Sequence, residues 1–117
     1  MKKKQFLEDF AKQLDYWVKE AVKSSVDEET DLKWSERAQA FRAFQAAVTN
    51  GAITQKNLQE VFEEVLRGFA VSIFTVIDGG TEFADEERVS LVGESGDSYG
   101  ELHDEFVMHL IKTGRLQ

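Results

Sequence analysis

A chain of 117 residues, 42% hydrophobic and 31% charged, has the makeup of one globular domain over 1–117, long enough to bury a core without staples. It has no cysteine, which excludes disulfides and thiolate metal sites and suits a reducing cytoplasm. Its formal net charge of −8 argues against nucleic acid and anionic lipid as direct ligands, because phosphate binding needs clustered Lys and Arg.

Met1-Lys2-Lys3-Lys4 has the basic start of a leader, yet residues 6–22 contain Glu8, Asp9, Lys12, Asp15, Lys19 and Glu20, so no apolar h-region follows. No apolar run is long enough to span a bilayer. The expectation is a soluble cytoplasmic protein without membrane contact. Phe6, Leu7, Phe10, Leu14, Trp17, Val18, Ala21 and Val22 recur at three and four, which makes residues 3–23 an amphipathic helix. A polar connection over 24–29 follows. Thr30, Asp31 or the later Ser35 can cap a second helix, whose inner face is Trp34, Ala38, Phe41, Phe44 or Gln45, and Val48. Trp34 and the two phenylalanines are read as core filling. Thr49-Asn50-Gly51 ends that helix.

Residues 58–80, LQEVFEEVLRGFAVSIFTVIDGG, form the longest apolar stretch. Leu58, Val61, Phe62, Val65, Leu66, Phe69, Ile73, Val76 and Ile77 keep a helical phase, capped by Thr54 and stopped by Asp78-Gly79-Gly80. Its second half, 69–77, has few polar breaks and is expected to be wrapped by other elements. The β-branched content of 71–77 leaves a buried strand over 69–77, and hence an α+β fold, as the alternative. Arg88-Val89-Ser90-Leu91-Val92 alternates and reads as a short strand, pairing in a small hairpin with residues 81–84. Residues 93–100 are a turn-rich loop. Ser98 and Glu101 have capping-box spacing before a last helix over 101–113, with Leu102, Phe106, Leu110 and Met108 or Ile111 inward. The expected fold is mainly α, four helices in the order α-α-α-β-α.

Charge is uneven. Residues 78–105 hold ten acids (Asp78, Glu82, Asp85, Glu86, Glu87, Glu94, Asp97, Glu101, Asp104, Glu105) against Arg88, a net −9. Such a segment can steer and hold a basic protein. Asp78, Glu82, Asp85, Glu86, Glu87, Glu94 and Asp97 are the candidate partner-binding residues. The alternative is a small-molecule or metal site lined by Asp78, Glu82, His103, Asp104 and His109, near Asp78 and His103. The bland reading of Asp78-Gly79-Gly80 is a helix stop and tight turn. Glu105 and His109, four apart, are a lone pair with no second ligand motif, and the acids of 94–101 do not follow the one-three-five spacing of a calcium loop. No metal, cofactor or catalytic residue is assigned, and no phosphate loop, nucleophile elbow or HExxH motif occurs. Two tryptophans and nine phenylalanines in so short a chain also favour a homodimer built on the apolar end of the long helix.

Residues 66–85, LRGFAVSIFTVIDGGTEFAD, with Leu102-His103-Asp104-Glu105-Phe106 and Thr113-Gly114-Arg115, resemble a group of small, functionally uncharacterised bacterial proteins. That group has an apolar helix ending in Asp-Gly-Gly-Thr, an acidic link and a Leu-His-x-x-Phe helix. The resemblance covers roughly the C-terminal half and implies no catalytic residues. Some small acidic bacterial proteins of this size are immunity proteins to secreted toxins, and an immunity-like role is an extension by analogy.

Overall fold

A computed structural model describes the chain except for Arg88 and the side chains of Glu82 and Phe83. Four helices form: α1, Lys3–Val26; α2, Ala38–Thr49; α3, Gln55–Ile77; and α4, Leu102–Lys112. The fold is mainly α, and the described residues form no sheet. No helix among them is long and apolar enough to cross a membrane. The chain divides into two compact units, Met1–Gln13 with Arg67–Gln117, and Leu14–Leu66. Helices α1 and α3 each contribute to both.

In the first unit, the start of α1, the end of α3 and α4 share an aromatic core. The Phe10 and Phe74 rings lie 4.7 Å apart, Phe74 and Phe106 5.1 Å, and Phe10 and Phe106 5.4 Å. The Phe10–Phe106 and Phe74–Phe106 pairs are edge-to-face and Phe10–Phe74 is tilted; aromatic pairs of this kind contribute about 0.5–1.5 kcal/mol each beyond their buried area. Leu102 and Leu110 of α4 are buried with Phe106, each one helical turn from it along the same stripe. Met108 and Ile111 are exposed, contrary to expectation, and His109 takes the inward place.

The second unit buries Val18, Val22, Leu32 and Leu58 with Ser24, Ser25 and Gln45. The polar connection expected at 24–29 is therefore wrong at its start: α1 continues to Val26, and both serines are fully buried. Gln45 rather than Phe44 faces inward. Its Nε2 donates to the Ser24 carbonyl at 2.7 Å, and Arg42 Nη1 donates to its Oε1 at 2.9 Å. Helix α2 starts at Ala38, past the expected caps. The Asp31 carboxylate and Ser35 hydroxyl instead accept the N–H of Lys33 and Arg37, two residues on. Such local bonds compete with helix. Trp34 is left outside the helix and 54% exposed, so it is not core filling; it joins a ladder of rings, Tyr16, Trp17, Trp34 and Phe41, on this unit's surface.

Helix α3 is capped as the sequence indicates, with Thr54 Oγ1 accepting the Asn57 N–H at 3.1 Å. Residues 69–77 are helical, which removes the buried-strand alternative: the continuous helical phase outweighs local β-propensity. They are not wrapped on all sides. Ala70 and Phe74 are buried, while Phe69 is 65% and Val76 52% exposed. Among the described residues the expected hairpin does not form either. Residues Glu82–Asp85 form a 3-10 turn, with the Thr81 carbonyl accepting the Ala84 N–H. A helix that has just ended readily continues into local i to i+3 bonds. Val92 bridges antiparallel to Ser98 around a tight turn with Gly96 at φ 92°. The expected strand's first residue, Arg88, lies outside the described residues.

Candidate functional site

The site lies in the first unit, beyond the C-terminal end of α3. Gly79, at φ 80°, adopts the left-handed conformation that stops the helix, and the Gly80 N–H bonds back to the Thr75 carbonyl at 2.9 Å. A Cβ on Gly80 would sit 2.9 Å from Thr75 Cγ2, so any larger residue there would have to push the threonine methyl aside. The reversal places Asp78 at the start of α4. Its Oδ1 accepts the Leu102 N–H at 3.0 Å, and its Oδ2 accepts the His103 N–H at 2.8 Å and pairs with His103 Nδ1. Asp78 is thus a remote N-cap, a carboxylate on two orphan donors at the positive end of a helix dipole. The capping box expected from Ser98 and Glu101 does not form. Glu101 precedes α4 in the left-handed conformation, φ 61° and ψ 32°, with no side-chain cap bond.

These contacts set the charges. Burial by itself would raise the Asp78 carboxyl, but the His103 N–H, the His103 ring and the Leu102 N–H outweigh it and hold it below its ordinary value. The bond to Asp78 raises the His103 imidazole above its ordinary value; burial opposes this, and Asp104 adds to it. With Nδ1 committed to Asp78, Nε2 is the outer ring nitrogen and pairs with Asp104 Oδ2 at 3.6 Å.

Asp78 and His103 line a cavity of about 580 Å³. Ile77, Val89 and Leu91 are apolar parts of its lining; Ser90, Ser98 and Glu101 are polar parts. Its volume falls in the range of ligand clefts. Glu101 is the one non-glycine at positive φ among the described residues, and a strained backbone of this kind clusters at functional sites. At Gly100, also in the lining, the carbonyl accepts Lys3 Nζ at 3.0 Å, and the same ammonium pairs with Glu105 at 2.8 Å.

Of the residues singled out in the sequence, Asp85, Glu86, Glu87, Glu94 and Asp97 are exposed, as are Glu101 and Asp104. Asp97 accepts the Ser95 hydroxyl, and among the described residues none of these seven forms an ion pair with Lys or Arg. The Glu82 side chain lies outside the described residues. The alternative small-molecule set is assembled in part: Asp78, His103 and Asp104 come together, and His109 does not. His109 Nε2 instead bonds Glu8 Oε2 at 2.7 Å, and Arg115 Nη2 bonds Glu8 Oε1 at 2.6 Å. Arg115 and then His109 hold the Glu8 carboxyl down at about 2. Neither this triad nor the parts of Ser90, Ser98 and Glu101 in the cleft carries a sequence signal, because each depends on residues far apart in the chain or on a turn whose conformation the sequence leaves open. Among the described residues no three His, Asp or Glu could hold a metal ion together.

Comparison with protein-family models, with curated proteins and with solved structures gives no match.

Proposed function

We propose that this protein is an interaction module that binds a basic protein partner through the acidic segment 78–105, in the manner of an immunity-like protein. The supporting observation is the exposure of Asp85, Glu86, Glu87, Glu94, Asp97, Glu101 and Asp104 with no Lys or Arg paired to them among the described residues. Exposed like charges cost the free protein some self-repulsion, and a cationic partner relieves it. Attraction of this kind acts chiefly on association rate and falls with ionic strength. The test is calorimetric titration with an oligo-arginine peptide. Affinity is expected to fall by more than about tenfold between about 50 and 200 mM salt. No binding at the lower salt would remove the reading.

Self-association is a second reading, favoured by one observation. Phe69 and Val76 of α3, two helical turns apart on one face, are both more than half exposed. A face of this kind suits a second copy of the helix. Sedimentation showing a monomer at high concentration would exclude it.

A further inference from the structure

We propose that the cleft between the end of α3 and the start of α4 seats one guanidinium side chain of the basic partner. This deepens the interaction reading and rests on it. Three features of the cleft carry it.

The first is charge. Among the described residues of the lining, Asp78 and Glu101 each bring −1 and His103 brings +1 or 0, a sum of −1 or −2 in either state of the imidazole. Asp78 neutralises His103 from within, and the Glu101 carboxylate is left for a ligand. The second is shape and polarity. Ile77, Val89 and Leu91 offer an apolar wall for a methylene stem, while Ser90, Ser98 and Glu101 offer oxygen acceptors. A planar guanidinium presents five N–H donors in a fork and can engage several acceptors at once. It is also more weakly hydrated than an ammonium, so it enters a half-apolar cleft at lower desolvation cost. A volume of about 580 Å³ leaves room for such a side chain to enter by displacing solvent. The third is a cation already held at this edge: Lys3 Nζ donates to the Gly100 carbonyl at 3.0 Å.

The probes are N-acetyl-arginine methylamide and its neutral citrulline counterpart, at millimolar concentration, followed by amide NMR on the intact chain. The arginine probe is expected to shift Gly100, Glu101 and His103 saturably, and the citrulline probe to leave them in place. Glu101→Gln is expected to weaken the arginine probe by roughly tenfold. That variant keeps the backbone and hydrogen-bonding length of Glu101, and its helical spectrum checks that it folds. Equal binding of citrulline, or an unchanged arginine affinity in Glu101→Gln, would overturn the proposal. If oligo-arginine binds with steep salt dependence while the single-arginine probe moves no cleft amide, the cleft proposal fails and the interaction reading survives. If oligo-arginine does not bind, both fail.

Discussion

Two carboxylate–histidine pairs lie in the same unit and do different work. Glu8–His109 is closed: the histidine is buried, Arg115 takes both carboxylate oxygens, and neither residue lines the described cleft. Asp78–His103 is open in the opposite sense. Its acid is buried, with a side chain 6% exposed, while its histidine is 36% exposed and faces a cleft. The first pair ties the N-terminal helix to the C-terminal end of the chain. The second caps a helix with its acid and leaves its histidine at a surface where a ligand can meet it. Similar chemistry is structural in one place and site-forming in the other because of which partner is buried.

The largest effect that would break this contrast is expected from Asp78→Ala. It orphans the Leu102 and His103 N–H groups and removes the ring partner of His103, and should cost about 2–3 kcal/mol in urea unfolding. Asp78→Asn, which still offers one carbonyl acceptor, should recover part of that loss. If Asp78→Ala unfolds at the wild-type midpoint, Asp78 is not the cap of α4.

Titration of stability with pH separates His103 from the two carboxylates by sign. Glu8 is lowered from 4.5 to about 2, so its contribution is full above 4.5 and is lost as pH falls toward 2. Asp78 is likewise lowered and loses its contribution on the acid side. His103 is raised above 6.5, so its contribution is full below 6.5 and is lost as pH rises through the raised value. Glu8→Gln should flatten only the acid limb of the urea midpoint profile, and His103→Gln should remove the alkaline limb. An alkaline limb unchanged in His103→Gln would contradict the assignment.

The smallest effect expected is a gain. Glu101 holds a left-handed conformation that disfavours a side chain, so Glu101→Gly should stabilise by about 1 kcal/mol. The same substitution should weaken the arginine probe. Loss of stability instead would mean that the Glu101 side chain supports the fold.

Local signals in the sequence gave the helices and missed their meeting points. Thr54, the helical phase of α3 and Asp78-Gly79-Gly80 act within a few residues, and they were legible. Trp34 was misplaced because Asp31 and Ser35, plausible caps by type, bond their own turn instead. The apolar residues of α3 suggested one buried stripe, yet burial is decided by neighbours, and Phe69 lacks the cover that Phe74 has. Asp78 was singled out, but its role was not readable, since its partners lie 24 and 25 residues away. The pairing of Glu8 with His109, 101 residues apart, is beyond any spacing rule.

On the proposed reading, the carboxylates beyond the glycine end of α3 are the ones a basic partner meets. The chain offers a rival in Asp31 and Glu36, exposed on either side of Trp34, where acids and aromatic rings together could hold a cation. Mapping amide shifts during an oligo-arginine titration decides between them. The expected result is that the perturbed amides lie within 85–104 and those of 16–36 stay still. Shifts gathered around Tyr16, Trp17 and Trp34 instead, with 85–104 unmoved, would contradict it.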